Sequence, residues 1–213
     1  MSGCRKILVF GVSGGIGCAV RSEALRRGWE CVGTSRKDGV GDFVVDFSDA
    51  TGLEAMLMRL FVAEGPFDAM VYCVGECPIV PVSGIDPVAL ASCQMVNCNG
   101  FILAVKAFSR PGAHVKDCAV AVAVSSVSAR EGWAGGVAYC ASKGALSAAG
   151  RALAAELAPK GIRVETIEPG HVLTDMFRNG AGRMGTPESA ARSPDDVASE
   201  LMDFLESKRK VKS

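Results

Sequence analysis

Tyr139 and Lys143 are four residues apart at the start of a predicted helix, so their side chains lie on one face of it. A tyrosine has a reference pKa of about 10, and a cation within reach lowers it by roughly 1–3 units. Such a phenol can donate and recover a proton near neutral pH. Because a lone Tyr-x-x-x-Lys pair is more often an ordinary helix surface, the hypothesis of acid–base chemistry depends on the surrounding residues.

A glycine cluster follows the first predicted strand, Lys6–Phe10, and precedes a helix predicted over Cys18–Gly28. A helix N-terminus offers free backbone N–H groups and a positive dipole end to a pyrophosphate, and glycine lets the anion approach closely. The alternative is a tight strand-to-helix turn without a ligand. We predict a dinucleotide phosphate site formed by Gly11, Ser13, Gly14, Gly15, Ile16 and Gly17.

In such a site, residues at the end of the second strand determine which nicotinamide cofactor binds. Here that strand is predicted at Glu30–Gly33. An acid there would accept hydrogen bonds from a ribose 2′-hydroxyl. The residues that follow the strand are Thr34-Ser35-Arg36-Lys37, with two hydroxyls, two cations and no acid. Ser35 and Arg36 therefore predict contacts to the 2′-phosphate of NADP(H), while the nearby Asp38 keeps NAD(H) as an alternative.

Strands alternate with helices along the chain, and some strands, such as Ala119–Val124, are apolar on both faces. This pattern predicts an α/β fold, a doubly wound parallel sheet (Rossmann fold) in three layers, α/β/α. We expect a single domain over residues 1–213, with ligands at the carboxyl ends of the strands. The irregular, glycine-rich segment 175–193 predicts a mobile substrate lid.

The remaining elements follow from hydrophobic periodicity. We predict strands at Asp42–Asp46, Phe67–Val74 and Ile162–Ile167, and helices at Thr51–Glu64, Pro87–Phe108, Tyr139–Ala158 and Asp195–Leu205. The link from Thr34 to Gly41 is too short and glycine-rich to hold a crossover helix.

Composition narrows the classes of partner. The 213 residues have zero formal net charge, which gives no reason to expect nucleic acid or an anionic membrane. We expect no membrane span, because the long apolar runs are interrupted. The nine cysteines include no Cys-x2-Cys pair and the only histidines are His114 and His171, so we predict no metal site and reduced thiols in a cytoplasmic protein. The basic run at 208–210 predicts a solvated tail.

Further motifs accompany the tyrosine and the glycine loop. They are Asn97, Ser125-Ser126-Val127-Ser128, Tyr139-Cys140-Ala141-Ser142-Lys143 and Glu168-Pro169-Gly170-His171-Val172-Leu173-Thr174. The complete set resembles the short-chain dehydrogenase/reductase family, in order and in spacing, from Lys6 to about Met176.

The resemblance implies a role for each of four residues. Ser126 would steady the substrate oxygen, and Tyr139 would exchange its proton. Lys143 would hold the nicotinamide ribose and lower the pKa of Tyr139, and Asn97 would anchor a water in a proton relay. Beside Tyr139 and Lys143, further cofactor contacts are implied at Asp46 and Phe47 near the adenine, at Val74 and Gly75 after the fourth strand, and at Pro169, Gly170, Val172 and Thr174 near the nicotinamide.

The family also implies an activity and an assembly. The expected activity is NADP(H)-dependent hydride transfer between a small-molecule carbonyl and an alcohol. The expected assembly is a homodimer or homotetramer, because helices corresponding to Pro87–Phe108 and Tyr139–Ala158 form subunit contacts in the family. Glu131 and Trp133 lie in the loop before Tyr139, where substrate contact and plain packing are equally supported.

Some positions depart from the family pattern. Tyr72-Cys73-Val74-Gly75 stands where Asn-Asn-Ala-Gly is usual, and Phe10 replaces a threonine. Two alternatives therefore stay open. One is a reductase of a non-carbonyl group, like the dihydropteridine reductases, which share Tyr-x-x-x-Lys but generally lack the serine and the asparagine. The other is a non-catalytic dinucleotide sensor, which would predict a broken set of catalytic residues.

Overall fold

Six parallel strands form one sheet in the order β3-β2-β1-β4-β5-β6. The structure, a computed structural model, describes residues 5–116, 118–182 and 185–207. The strands are β1 (Lys6–Phe10), β2 (Glu30–Ser35), β3 (Phe43–Val44), β4 (Ala69–Tyr72), β5 (Ala119–Val124) and β6 (Ile162–Ile167). The predicted doubly wound parallel sheet is therefore confirmed, with the strand order reversing between β1 and β4.

Helices cover both faces of the sheet. They are α1 (Gly15–Arg26), α2 (Leu53–Glu64), α3 (Pro87–Gln94), α4 (Gly100–Phe108), α5 (Val137–Leu157), α6 (Asp175–Asn179) and α7 (Pro194–Ser207). One buried cluster joins the sheet to α1 and α7. A second joins the opposite face to α2, α4 and α5. The three predicted layers are thus present.

Burial on both faces of the sheet explains why its central strands are unbroken apolar runs in the sequence. All six residues of β5, Ala-Val-Ala-Val-Ala-Val, are buried because helices pack on both of its faces. β5 pairs along its length with β6, from Ala119 opposite Ile162 to Val124 opposite Ile167. The carboxyl ends of β1, β4, β5 and β6 consequently open at one edge of the sheet.

The link between β2 and β3 contains no helix, as predicted. Asp42 closes it, because its Oδ2 accepts the backbone N–H of Gly33 at 2.7 Å and its own N–H donates to the Gly33 carbonyl at 2.8 Å. Gly41 passes so near that a Cβ there would lie 2.9 Å from the Ser35 nitrogen. The loop is therefore folded back onto β2, next to Arg36.

Several bounds differ from the prediction; β2, for example, continues to Ser35, and β4 is limited to Ala69–Tyr72. α1 begins at Gly15 rather than Cys18, inside the glycine cluster, because the close packing of Gly17 on Gly11 outweighs the low helix propensity of glycine. β3 has two residues rather than five. The predicted tail at 208–210 and residues 183–184 of the predicted lid lie outside the described residues.

The predicted helix Pro87–Phe108 is continuous but changes its winding at Met95–Asn99, which forms a π-helical turn. Among the described residues it is also the one helix long and apolar enough to cross a membrane. The buried core helix of a folded domain meets the same criteria, so the expectation of no membrane span stays a prediction. Phe101, Ala104 and Phe108 of this helix pack in the core against the sheet.

Candidate active site

A cleft at the carboxyl ends of the strands consists of two adjoining cavities of about 170 and 740 Å³. Residues of the glycine loop and of the segment after β4 line both cavities: Ser13, Gly14, Cys73, Val74 and Gly75. This is the edge at which doubly wound sheets bind their ligands. The smaller cavity lies towards β2 and β3, and the larger one towards β5 and β6.

The glycine loop packs too closely for side chains at two positions. A Cβ on Gly17 would overlap the carbonyl oxygen of Gly11, and a Cβ on Gly15 would lie 2.6 Å from Cγ2 of Thr174. Gly11 has φ +89°, a backbone conformation that favours glycine. Gly11 lines the smaller cavity, Gly15 and Ile16 line the larger, and the buried Gly17 lies outside both linings. The loop thus leaves a cradle of backbone N–H groups at the start of α1.

The smaller cavity brings together the residues predicted for cofactor choice and for the adenine. Ser35, Arg36, Asp46 and Phe47 all line it. The Ser35 hydroxyl accepts the backbone N–H of Lys37 at 2.9 Å, which fixes the turn after β2. Hydrogen bonding from Ser48, with a smaller contribution from the Arg36 charge, lowers the pKa of Asp46. Arg36 is therefore the one lysine or arginine among the described residues of a lining that also contains hydroxyls, apolar side chains and the acids Asp46 and Glu76.

Ser126, Tyr139 and Lys143 line the larger cavity together. Ser126 follows β5 in an extended conformation and its hydroxyl accepts the Ser128 N–H at 3.1 Å. Tyr139 and Lys143 lie on the first turns of α5, with the Lys143 ammonium 5.7 Å from the centroid of the phenol ring. Lys143 is 4% exposed, and its Nζ donates to the Val124 carbonyl at 2.8 Å.

The electrostatics of this pair differ from the expectation. Burial raises the pKa of Tyr139 to about 12, although a hydrogen bond with Ser126 acts in the opposite direction. Burial also lowers the pKa of Lys143 to about 8. The expected lowering of the tyrosine pKa by the lysine is therefore wrong for this arrangement, because desolvation outweighs the nearby cation. The phenol is held in its protonated form.

A chain of polar groups fixes α5 behind Lys143. The Ser125 hydroxyl hydrogen-bonds the Lys143 carbonyl at 3.2 Å and the Ser147 hydroxyl at 2.9 Å. Ser147 donates to Glu168 Oε1 at 2.8 Å, and Glu168 Oε2 pairs with Arg130 at 2.7 Å. This network ties the loop before α5, the helix itself and the end of β6 into one unit.

The end of β6 and the segment after it complete the larger cavity. Pro169, Gly170, Val172 and Thr174, for which the family resemblance implies contacts near the nicotinamide, all line it. Thr174 caps α6, accepting the Phe177 N–H at 3.3 Å, and its methyl group lies against Gly15. The start of the predicted lid therefore rests on the glycine loop.

Sequence reasoning did not propose several residues that line the cleft. Most follow strand ends or lie in the predicted lid, whereas Val96 lies in the π-helical turn. They are Val45, Ser48, Glu76, Cys77, Ile79, Val96, Met176, Phe177, Gly180, Ala181 and Thr186. Their position after a strand was the available signal, since irregular segments carry no periodicity. Within the described ranges, no three His, Cys, Asp or Glu side chains are grouped as metal ligands.

Comparison with known proteins decides the family. The sequence model of the family described as short chain dehydrogenase matches residues 5–183. The chain belongs to the short-chain dehydrogenase family. It is 31% identical over 182 residues to the inactive 2-(S)-hydroxypropyl-CoM dehydrogenase 2 of Xanthobacter autotrophicus, covering 80% of this chain and 77% of that protein.

Two further proteins are similar to this short-chain dehydrogenase, one in sequence and one in structure. It is 29% identical over 219 residues to glycine betaine reductase ATRR of Emericella nidulans, covering 93% of this chain but 17% of that much longer relative. A short chain dehydrogenase from Burkholderia cenocepacia, solved in complex with NADP, has the same fold. The TM-score is 0.78 at 24% identity, covering 96% of this chain and 84% of that one.

Asn97 differs from the other three predicted catalytic residues, because its side chain is fully buried and lies outside both cavity linings. Its Oδ1 accepts the Glu76 N–H at 2.8 Å. Its Nδ2 donates to the Glu76 carbonyl at 2.9 Å and to the Ser142 hydroxyl at 2.8 Å. The amide thus anchors the loop after β4 to α5.

Tyr72 explains one departure of this short-chain dehydrogenase from its family. It occupies the first position of the usual Asn-Asn-Ala-Gly, and its buried hydroxyl donates to the Val96 carbonyl at 2.5 Å. Val96 lies in the π-helical turn that carries Asn97. Gly100 allows the contact, since a Cβ there would overlap the Tyr72 hydroxyl oxygen. The side chain at this position therefore still makes a hydrogen bond, with a phenol hydroxyl in place of the usual asparagine amide.

We expect Tyr72→Phe to lower the free energy of unfolding by about 1–2 kcal/mol, because it leaves the Val96 carbonyl without its buried donor. Denaturant titration followed by circular dichroism measures the change. The matched control is Phe101→Leu in the same aromatic cluster, which alters packing and removes no hydrogen bond. Stability unchanged within 0.3 kcal/mol, about the limit of additivity in such data, would contradict the assigned role.

Proposed function

We propose that the chain is an NADP(H)-dependent oxidoreductase that interconverts a carbonyl and an alcohol, with Tyr139 exchanging the proton. One observation carries the proposal. Ser126, Tyr139 and Lys143 line the cavity that adjoins the glycine loop, so the reacting groups and the phosphate cradle share one cleft.

The residues in the cleft fit a nicotinamide dinucleotide. The cradle at Gly11, Gly14 and Gly15 would hold the pyrophosphate at the N-terminus of α1. Arg36 and Ser35 would hold a 2′-phosphate, and Lys143 the nicotinamide ribose. The Burkholderia cenocepacia protein, which has the same fold, was solved with NADP. When bound, the cofactor supplies the hydride for carbonyl reduction and accepts it in alcohol oxidation.

The protein supplies the proton. In reduction, the hydroxyl of Tyr139 would hydrogen-bond the substrate carbonyl oxygen and donate its proton as negative charge develops there. The hydroxyl of Ser126 would donate a second hydrogen bond to the same oxygen. Burial raises the pKa of Tyr139 to about 12, so the phenol carries at neutral pH the proton that this step needs.

The test is a screen that follows NADPH oxidation with aldehydes, ketones, quinones and pterins. Turnover of aldehydes or ketones supports the proposal, whereas turnover of quinonoid pterins alone would support a dihydropteridine-reductase-like activity. The sensor hypothesis predicts NADPH binding without any turnover. It has one specific observation in its favour, the similarity to a relative that is itself described as inactive. The joint presence of Ser126, Tyr139 and Lys143 in one cavity argues against it.

Arg36 provides a prediction on the cofactor. Two charge-assisted contacts to the 2′-phosphate favour NADPH over NADH. We expect Arg36→Ala to weaken NADPH binding by about tenfold or more and to leave NADH binding nearly unchanged. Calorimetric titration with each cofactor measures this. Arg59→Ala, on α2 and outside both cavities, is the charge-matched control. Equal affinity of the unmodified protein for NADPH and NADH would refute the preference.

We also propose that the chain forms a homodimer or homotetramer and that its substrate is a small molecule. Helices α3 and α4 leave Val88, Leu90 and Ile102 exposed, which is more apolar surface than a solvated helix pair needs. We predict an oligomer by multi-angle light scattering at micromolar concentration. A monomer throughout that range would contradict it. We further propose that the chain is a single cytoplasmic domain and that residues 175–193 form a substrate lid.

A further inference from the structure

The indole of Trp133 lies beside the phenol of Tyr139 in the larger cavity. The two ring centroids are 6.4 Å apart, with planes inclined by 51°. Trp133 Nε1 donates to the hydroxyl of Ser128 at 3.2 Å, which fixes the rotation of the indole. Both Trp133 and Ser128 line the cavity. An aromatic wall is thus held next to the proposed proton donor.

Gly136 provides the second restraint on this ring. A Cβ at Gly136 would lie 2.5–2.7 Å from three atoms of the indole, Cε2, Cδ2 and Cζ2. The indole face therefore packs directly on the backbone at the start of α5, and only glycine leaves room for it. The preceding Gly135 has φ +83° and accepts the Val80 N–H at 3.0 Å, which ties this loop to the segment after β4. The position of Trp133 is consequently determined by the fold.

The charges around the cavity restrict what can bind beside the indole. Among the described lining residues, Lys143 is the one lysine or arginine and His171 the one histidine, and Lys143 is buried and donates to Val124. Glu131 and Asp175 are the acidic residues of the lining. Arg130, in the same loop, is paired with Glu168. A substrate carboxylate or phosphate would therefore meet acids and lack a partner.

Apolar side chains also line the cavity that holds the indole. They include Ile79, Met176 and Phe177. Aromatic rings pack favourably at centroid distances of 4.5–7 Å, and methionine and isoleucine adapt to a flat ring. The cavity thus offers aromatic and apolar contacts beside Tyr139.

Building on the proposed function, we infer that Trp133 determines specificity and that the substrate is an uncharged carbonyl compound with an aromatic ring attached to the reacting carbon. The ring packs against the indole while the carbonyl oxygen meets Tyr139 and Ser126. A ring attached directly reaches the indole, because Trp133 and Tyr139 are adjacent in the cavity wall.

The first experiment compares kcat/KM for benzaldehyde and cyclohexanecarbaldehyde with NADPH, since these probes differ in the flatness of the ring and little in size. The unmodified protein should prefer benzaldehyde. Trp133→Ala should reduce that preference by about three- to tenfold, through benzaldehyde alone, and Trp133→Phe should retain most of it. Ala134→Ser, at an exposed position of the same loop outside both cavity linings, is the control. A ratio unchanged in Trp133→Ala would overturn the inference.

Two further comparisons test the restraints and the charge. Gly136→Ala must displace the indole, so it should lower the same ratio, whereas Gly132→Ala, in open space in the same loop, should not. The unmodified protein should turn over 4-methylbenzaldehyde at least tenfold more efficiently than 4-carboxybenzaldehyde. Equal efficiency with the carboxylate would overturn the statement about charge.

Binding separates this inference from the proposed function. The chain has two tryptophans, so Trp29→Phe leaves Trp133 as the sole indole fluorophore. In that variant, with NADP present, benzyl alcohol should quench the fluorescence at lower concentration than cyclohexylmethanol. Failure of every carbonyl to oxidise NADPH would refute the proposed function alone. Equal quenching by both alcohols would refute the aromatic specificity, whether or not the protein is active.

Discussion

Tyr139→Phe is expected to lower turnover by about 10²–10⁴-fold, the usual effect of losing a general acid. The substitution removes one oxygen and leaves the ring, so packing against Trp133 and Lys143 is preserved. NADPH affinity should change little, because the glycine loop, Arg36 and Lys143 remain. Steady-state kinetics with the best aldehyde from the screen, together with a calorimetric titration of NADPH, measure both quantities.

The chain supplies a matched control, since Tyr72 is its only other tyrosine. Tyr72→Phe removes the same atom from a buried ring that lies outside both cavity linings. It should cost stability and reduce turnover far less than Tyr139→Phe. Full activity in Tyr139→Phe would mean that the proton comes from another group, and the proposed mechanism would then fail.

Lys143→Met is expected to weaken NADPH binding by about 10–100-fold, the value of a lost charged hydrogen bond, and to lower turnover further. Although it weakens cofactor binding and turnover, the same substitution should not lower the stability of the protein. Burial lowers the pKa of Lys143 to about 8, so the folded protein carries a desolvated ammonium at neutral pH. Replacing it with an apolar side chain of similar length relieves that cost. We expect the variant to be at least as stable as the unmodified protein below pH 8.

The pH dependence of stability tests whether desolvation of the Lys143 ammonium causes this effect. Between about pH 8 and 10.5 the unfolded lysine keeps its proton while the folded one has lost it, so stability of the unmodified protein gains from rising pH. The stability difference between Lys143→Met and the unmodified protein should thus be constant below pH 8 and shrink above it. Thermal unfolding from pH 7 to pH 10 measures this. Lys143→Arg, which stays charged, should show no such change, and a difference independent of pH would contradict the assignment.

The sequence predicted those features that depend on local pattern. The apolar run Ala119–Val124 gave a central strand at its observed bounds, and the short glycine-rich link before β3 was correctly interpreted as too short for a helix. The family motifs placed Ser126, Tyr139 and Lys143, which the fold brings into one cavity. Periodicity and motif spacing are sufficient to predict a feature that depends on residues within a single strand, link or motif.

Features that depend on packing between elements could not be predicted. The pKa of Tyr139 depends on how deeply the assembled loops bury it, which no spacing reveals. The amide of Asn97 is engaged by Glu76 and Ser142, residues from two other segments. The position of Trp133 depends on Gly136 and Ser128, neither of which has a distinctive pattern in the sequence.

Strand β6 is the outermost strand on its side of the described sheet, which has a consequence for solubility. An edge strand presents unpaired backbone groups that can template pairing with another chain. β6 carries Arg163 and Glu165 on one face, joined by an ion pair, with the guanidinium 4.7 Å from the centroid of the Phe204 ring on α7. Charges on an edge strand oppose intermolecular sheet extension. We therefore expect this pair to oppose aggregation at the β6 edge of the described sheet, while the opposite edge, β3, has only two residues with which to template pairing.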